Sequence, residues 1–373
     1  MMNRIKAIAL LAPLSFYYLT VNAQKASPED SVKELEKVQM QEYFKKRPLV
    51  LPQADLSFLA GYQNQIYKRR LDSLQKTVPL TYNQHVQNYI DLYISKYKKQ
   101  IGKVVGLSKY YFPIFEKALK EMGIPDEIKF ITVLESSLNP HAVSHAGAKG
   151  LWQFMSGTAK SYGLQMNQYV DERKDPVQAS YAAATYFKDT YKQFGDWLLA
   201  IAAYNCGTSI VLKAIQRSGG IADFWRIRPY LPKQTQNYVP AYIATNYMMN
   251  YYKKYGITPS MVNFNMATEI IWVNKVVSLA GFAKAAHIDI GTLSALNPSY
   301  NKQIIHGSSA DPKPLVTPLL SKQVYSSIYD VLNPSETYPQ NHHHHVTKTR
   351  TQHTHSSSKH TLKRKTRHNH FHR

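Results

Sequence analysis

The chain has 373 residues, 44% of them hydrophobic, with one cysteine and a formal net charge of +22 at pH 7. This length and composition allow one substantial domain with an apolar core, plus small additions. The single cysteine, Cys206, excludes disulfides within the chain and argues against a Cys-based structural zinc site, while the positive charge favours an anionic partner.

The first residues predict a secretory signal peptide. Arg4 and Lys6 form a basic start, residues 5–21 are largely apolar, and Ala23 is a small residue that suits cleavage. We therefore expect residues 1–23 to be removed, with retention as an uncleaved anchor as the alternative. Because the signal does not end in a cysteine, no bacterial lipid anchor is expected. The mature protein would be exported, to the periplasm or elsewhere in the cell envelope.

Residues 24–77 are predicted to form an N-terminal helical or linker region. Charged pairs three and four residues apart indicate an exposed helix over residues 31–46. Pro48 and Pro52 would end this helix, because proline lacks a backbone N–H and its ring clashes with the preceding turn.

The region from residue 78 to 256 is predicted to be an all-helical domain. Apolar and aromatic side chains repeat at helical spacing after Val86, and we interpret this stripe as core packing on a helix that ends near Gly102. Asp175-Pro176 is a strong helix start, and another helix is predicted to restart at Asp196 and to stop at residues 205–207. No alternating strand pattern occurs in this region.

One acidic residue, Glu135, lies on an apolar helical stripe. At about 100° per residue it shares that stripe with five aliphatic residues: Ile124, Ile128, Ile131, Leu134 and Leu138. An ionised carboxylate facing a core is costly unless it is paired, neutral or functional. The residues alone leave two interpretations open: an edge position satisfied by a lysine or a helix N-terminus, or a functional acid.

Two further motifs follow Glu135-Ser136. Residues 147–155 read GAKGLWQFM, and residues 203–207 read AYNCG. Each has an ordinary structural explanation when taken alone, since a Gly-rich stretch can be a turn, a buried Trp is usually core, and Asn at a helix end can be a cap.

Taken together and in this order, the three motifs resemble the soluble-type lytic transglycosylase domain. The resemblance covers residues 78–256, and the segments before and after the motifs are most similar to the membrane-bound lytic transglycosylase D group. It implies a mainly α, lysozyme-like catalytic domain. The substrate would be peptidoglycan glycan strands, and no cofactor or metal would be required.

In this family the bond broken is the β-1,4 link from N-acetylmuramic acid to N-acetylglucosamine, and a 1,6-anhydro sugar is formed. The resemblance implies that Glu135 first protonates the leaving oxygen and then acts as base toward the C6 hydroxyl of the sugar. It also implies a cleft lined by five residues: Ser136, Gln153, Met155, Tyr204 and Asn205. The alternatives are a hydrolase in the manner of goose-type lysozyme and a catalytically silent glycan-binding wall protein.

The segment YVDERKDP holds the nearest other acidic residues. Asp175 is expected to cap the helix that begins at Pro176. Asp171 and Glu172 are predicted to form solvated ion pairs with Arg173 and Lys174, and a position in the cleft is the alternative.

The C-terminal part changes character. Residues 270–320 predict a small α+β pattern, with strands over residues 272–279 and 315–317 and helices over residues 281–287 and 290–296. This region resembles a degenerate LysM-type module. Glycan binding and a simple packing extension both remain open.

Residues 339–373 predict a disordered tail. From residue 341 onward they hold ten His and eight Lys or Arg and no acidic residue. The tail is interpreted as a solvated linker, as a basic segment attracted to anionic wall polymers or a membrane surface, or as a loose metal-capturing segment. No nucleic-acid partner is expected for an exported chain.

Overall fold

A computed structural model describes residues 53–261 and 267–333, with side chains from residue 61 onward. The chain divides into two units, residues 1–333 and 334–373, and all described residues belong to the first. The expected signal peptide, the helix predicted over residues 31–46 and the basic tail lie outside the described residues.

The larger part of the structure, up to residue 261, is built from α-helices, which confirms the predicted mainly α class. In chain order the helices are α1 (Gln53–Leu74), α2 (Gln84–Lys96), α3 (Lys98–Met122), α4 (Ile131–Ser136), α5 (Ser156–Ser161), α6 (Pro176–Phe194), α7 (Trp197–Cys206), α8 (Thr208–Arg217), α9 (Phe224–Ile227) and α10 (Lys233–Tyr251). Single 3-10 turns join several of them.

Helix α7 lies in the core. Its first seven residues, Trp197 to Ala203, are all buried. A helix that is apolar on every side must be surrounded by other elements, and α6, α8 and α10 pack around it. Asp196 starts α7 by accepting a hydrogen bond from the Leu199 amide, as predicted. Among the described residues no single helix is long and apolar enough to span a membrane, although α7 and α8 together, bent by 120°, would qualify by length and composition.

The predicted helix end at Gly102 is wrong. The helix breaks at Tyr97 instead, and α3 then runs through both Gly102 and Gly106 to Met122. The two glycines serve close packing, because a Cβ on Gly106 would lie 2.1 Å from the Ser260 carbonyl oxygen. The Ser260 amide also donates to the Gly102 carbonyl at 2.9 Å. Here glycine marks a close backbone approach and not a helix terminus.

The bounds of helix α1 were not predicted, since the sequence indicated only a helical or linker region over residues 24–77. Its Tyr67 and Leu71 are buried in the main core. Arg70 donates to the hydroxyls of Tyr247, on α10, and Tyr255, just beyond it, at 2.8 and 3.0 Å. Part of the N-terminal region is therefore integrated into the helical domain.

The C-terminal part has two short antiparallel sheets and three helices. Strand β1 (Thr268–Val273) pairs with β4 (Lys313–Pro318), and β2 (Val276–Ser278) pairs with β3 (Ile304–His306). The helices are α11 (Leu279–Ala285), α12 (Ile290–Leu296) and α13 (Tyr325–Leu332).

The predicted α+β character is confirmed, and α12 has the predicted bounds. The single strand predicted over residues 272–279 is wrong, because the chain divides there between two sheets. A separate apolar core, which includes Leu279, Phe282 and Leu315, holds these elements together.

Candidate active site

Glu135 lies near the end of a short helix that follows a 3-10 turn. The turn spans Asp126–Phe130 and continues into α4. The single helix predicted for the apolar stripe is therefore wrong, because Ile124 precedes the turn and Leu138 lies beyond α4 with a left-handed φ of +61°. The five aliphatic residues of the predicted stripe are all buried, with exposed fractions of 7% or less. Glu135 itself is half-buried, so its carboxyl group is set against this apolar surface while remaining partly accessible.

The pKa of the Glu135 carboxyl group is raised. Burial raises its pKa from 4.5 to about 7, because removal from water penalises the charged form. A hydrogen bond donated by the Tyr238 hydroxyl acts in the opposite direction, since it favours the carboxylate. The group can therefore hold or release a proton near neutral pH.

Tyr238 is a site residue that sequence reasoning missed. It is 8% exposed and projects from α10, in the segment QNYVP that contributed to the family resemblance. Burial and the nearby Glu135 raise its pKa well above the ordinary range, so it remains a hydrogen-bond donor. The similarity of this segment to the family could have drawn attention to Tyr238. However, α10 carries several tyrosines, and their spacing along the helix does not distinguish Tyr238 from the others.

The Gly-rich motif forms a tight loop, here called the motif loop (residues 147–155), as predicted. Gly150 has a φ of +83°, and a Cβ built on it would lie only 1.8 Å from the Arg173 carbonyl oxygen. No side chain fits there, so Gly150 lets the motif loop lie directly on the chain around Arg173.

Arg173 belongs to a buried ion pair beneath the motif loop. Its Nε and Nη2 atoms donate to the two carboxylate oxygens of Asp171, both at 2.8 Å, and its Nη1 donates to the Gly147 carbonyl at 3.3 Å. The predicted pairing is present for Asp171 and Arg173, but its predicted solvation is wrong, since both side chains are 7% exposed. The pairing predicted for Glu172 is wrong, because its carboxylate accepts a hydrogen bond from the Gln165 amide at 2.7 Å instead. Burial by itself would raise the pKa of Asp171, but Arg173 and Lys149 together hold that pKa below its ordinary value.

Two predicted site residues hold the motif loop from the other side. Ser136 is buried and its Oγ donates to the Leu151 carbonyl at 2.9 Å. The Tyr204 hydroxyl donates to the Trp152 carbonyl at 2.6 Å, and the Trp152 indole is fully buried. Burial and the proximity of Glu135 raise the pKa of Tyr204 well above its ordinary range.

Of the remaining predicted residues, Gln153 and Met155 belong to the motif loop and Asn205 lies at the end of α7. Gln153 has a φ of +52° and its amide donates to the Gly150 and Ala142 carbonyls at 2.8 and 3.1 Å. Met155 is 45% exposed at the end of the loop. The Asn205 side-chain oxygen accepts from Thr235 at 2.8 Å. The structure thus connects the motif loop to α4 and α7, while contact of these five side chains with a glycan stays a prediction.

The C-terminal part supports this arrangement through residues 165–175, here called the supporting segment. The Asp171 amide donates to the Ser299 carbonyl at 2.9 Å, and the Asn301 amide donates to the Tyr169 carbonyl at 2.7 Å. The Tyr169 and His306 rings stack with centroids 4.1 Å apart. The supporting segment is therefore held between the C-terminal part and the motif loop.

Known proteins resemble this chain in the region that contains the site. Residues 112–224 match the family model described as Transglycosylase SLT domain, and this range holds all three motifs. Membrane-bound lytic murein transglycosylase D of Escherichia coli is 34% identical over 183 residues, covering 48% of this chain and 40% of that protein. Membrane-bound lytic murein transglycosylase F of Alcanivorax borkumensis is 26% identical over 194 residues, covering 48% and 39%.

A solved structure, the 70 kDa soluble lytic transglycosylase of Escherichia coli, aligns at 27% identity with a TM-score of 0.32, covering 39% of this chain and 24% of that chain. The matches span less than half the length of these relatives. The predicted resemblance to lytic transglycosylases with an SLT-type domain, including the D group, is confirmed by the family match and by the 34% identity.

Proposed function

We propose that this chain, with its SLT-type domain, is an exported peptidoglycan lytic transglycosylase. It would cleave the β-1,4 bond between N-acetylmuramic acid and N-acetylglucosamine and leave a 1,6-anhydro-N-acetylmuramic acid end. The proposal rests on the family match together with the environment of Glu135. No cofactor or metal takes part in the proposed reaction.

Glu135 is the proposed acid and then base. A glycosidic oxygen leaves readily only when it is protonated, so the acid must keep its proton near neutral pH. A pKa of about 7 meets that need, and it equally allows the carboxylate, once formed, to take the proton of the C6 hydroxyl. Lysozyme relies on the same physical effect, because its catalytic acid is a carboxyl group held in a hydrophobic pocket.

A second carboxylate is not needed in this scheme. Most glycosidases use one as nucleophile or as base toward water. The acidic residues nearest the motif loop have other partners: Asp171 pairs with Arg173, Glu172 accepts from the Gln165 amide, and Asp175 caps α6. The internal C6 hydroxyl would replace the water that a second carboxylate would otherwise activate.

The proposed setting is the cell envelope, where peptidoglycan is found. The signal peptide over residues 1–23 would direct export, and the basic tail over residues 339–373 would approach anionic wall polymers or a membrane surface. The five cleft residues predicted from the family would bind the sugars, with Ser136, Gln153 and Tyr204 also shaping the motif loop.

The product identifies the reaction. Purified sacculi are digested in water labelled with heavy oxygen, and the muropeptides are analysed by mass spectrometry. We expect anhydro-muramic ends, lighter than reducing ends by one water and without label. Labelled reducing ends would show a hydrolase, and no release of muropeptides would favour the silent glycan-binding alternative.

Glu135→Gln should abolish turnover, because an amide cannot donate the required proton. Glu172→Gln is the matched control, since it also neutralises a half-buried carboxyl group near the motif loop but leaves Glu135 intact. Near-normal turnover by Glu135→Gln would show that the acid is misassigned.

A further inference from the structure

Thr235 lies in the first turn of α10 and is 1% exposed. Its Oγ1 donates to the Oδ1 of Asn205 at 2.8 Å. Tyr238, which donates to Glu135, follows three residues later, and residues three apart lie on the same face of a helix. One face of α10 therefore contacts both the acidic residue of the first motif and the asparagine of the third.

The direction of this hydrogen bond is set by the surroundings of the Thr235 hydroxyl. Three other threonines of the described helices donate to the carbonyl four residues earlier: Thr185, Thr190 and Thr245. Thr235 donates to no carbonyl among the described residues, because Leu231, four positions earlier, precedes the helix and has an extended backbone. The nearby Cys206 thiol is only a weak acceptor. The hydroxyl proton therefore requires the amide oxygen of Asn205, since an unpaired buried donor is destabilising.

This arrangement leaves the amide nitrogen of Asn205 free. Four other asparagines within or at the end of described helices donate to the carbonyl four residues earlier: Asn246, Asn250, Asn297 and Asn333. Asn205 is the next-to-last residue of α7, yet its nitrogen donates to no group in the part of the chain that the structure describes. That nitrogen is accessible to solvent, since the fully buried side-chain atoms that lack a partner belong to other residues. With its oxygen turned toward Thr235, the amide presents its NH2 group, which can only donate.

We propose that Thr235 is a positioning residue, which fixes the amide of Asn205 so that its NH2 group donates to an acceptor oxygen of the bound glycan. This inference rests on the proposed function, which places Asn205 in the cleft, and names a residue outside the three motifs that sets its polarity. Without the hydroxyl, the amide can turn by 180° and offer its oxygen instead. Thr235 thus acts on glycan binding and not on proton transfer, because its hydrogen bond is to Asn205 and not to Glu135.

Thr235→Val tests this role, because it removes the hydroxyl and keeps the branched shape. KM and kcat of the full chain are measured on purified glycan strands without peptides. We expect KM to rise about threefold to tenfold, the size of one hydrogen bond. The value of kcat and its pH dependence should stay unchanged, because Tyr238 and Glu135 keep their contact. Thr235→Ser restores the hydroxyl and should return KM to the wild-type value.

The matched control is Thr245→Val. Thr245 is also buried on α10, but its hydroxyl donates to the Ala241 carbonyl at 2.8 Å. This variant should keep the wild-type KM. The proposal is overturned if Thr235→Val leaves KM unchanged, if Thr245→Val raises KM equally, or if Thr235→Ser does not restore it.

A double-mutant cycle checks that Thr235 acts through Asn205. Asn205→Ala alone should raise KM, and Thr235→Val added to it should raise KM no further, because the group that Thr235 orients is already gone. Independent, multiplicative effects of the two substitutions would contradict the positioning role.

Binding of the same strands to the Glu135→Gln protein separates this inference from the proposed function. Weaker binding after Thr235→Val is added to Glu135→Gln supports the role of Thr235 even if the wild-type protein forms no anhydro product. Equal binding by the two proteins overturns the role even if turnover is normal. Strands that do not bind at all would also overturn it, because the glycan would then not be the ligand of Asn205.

Discussion

The Tyr238 hydroxyl donates a hydrogen bond to Oε1 of Glu135, joining α10 to α4 across 103 positions of the sequence. Two opposite effects therefore act on one carboxyl group. Burial favours its protonated form, and Tyr238 favours its ionised form. Their balance leaves the pKa at about 7, so that both forms are accessible near neutral pH.

Tyr238→Phe should lower turnover and move its pH dependence. Loss of a hydrogen bond to a charged group removes about 1.5–3 kcal/mol from the carboxylate form, which corresponds to a rise of roughly one to two units in the pKa of Glu135. In the wild-type protein kcat should fall as pH rises above about 7, because the acid loses its proton. In the variant this fall should occur at higher pH. At neutral pH kcat should drop about tenfold to a hundredfold, because the carboxylate that forms as Glu135 gives up its proton is no longer stabilised by the hydrogen bond.

Tyr242→Phe is the control for that measurement. Tyr242 lies one turn further along α10 and donates to the Glu127 carbonyl at 3.0 Å, away from Glu135. Its variant should lose stability without moving the pH profile. A profile that shifts equally in both variants would contradict the role given to Tyr238.

Glu135→Gln should stabilise the protein at high pH. Folding raises the pKa of Glu135 from 4.5 to about 7. Between these two pH values the folded protein therefore binds more protons than the unfolded protein, and the free energy of unfolding falls as pH rises. The Gln side chain of the variant does not titrate, so the free energy of unfolding of the variant would not fall in this way. The variant's advantage in the free energy of unfolding should grow by up to about 3 kcal/mol between pH 5 and pH 8. Urea unfolding at the two pH values measures it, and a pH-independent difference would contradict the raised pKa.

Gly150→Ala should damage the motif loop far more than Gly147→Ala. Both glycines have a positive φ, so alanine is strained by about 1–2 kcal/mol at either position. Only at Gly150 would the new Cβ meet the Arg173 carbonyl, whereas nothing lies within 4 Å at Gly147. We expect Gly150→Ala to lower both the melting temperature and kcat well below those of Gly147→Ala. Equal effects would show that close approach to Arg173 is unimportant.

Asn301→Ala should loosen the supporting segment. The side chain donates to the Asn167 carbonyl at 3.2 Å and accepts from Lys174 at 3.3 Å. We expect a loss of about 1–2 kcal/mol in the free energy of unfolding and faster amide hydrogen exchange over residues 165–175. Ser308→Ala removes a hydrogen bond confined to a turn of the C-terminal part and is the control. Unchanged exchange in the Asn301 variant would contradict the proposed support.

Much of the fold could be predicted because helix signals are local. The burial of the aliphatic residues around Glu135, the cap at Asp175 and the bounds of α12 follow from residues a few positions apart. Helix α1 and the continuity of α3 through Gly102 could not be predicted in this way. Both depend on distant partners, namely Tyr247 and Tyr255 for α1 and the chain at residues 257–260 for the glycines of α3.

The sequence by itself determined that an acidic residue shares a buried stripe and that three motifs occur in the order of a known family, because both are properties of spacing along the chain. Only the tertiary structure decided which groups surround Glu135 and that the Asp171–Arg173 pair lies buried beneath the motif loop. Desolvation and hydrogen bonding depend on what packs around a side chain in space. Spacing along the chain therefore identified the carboxyl group, and packing around it raised its pKa.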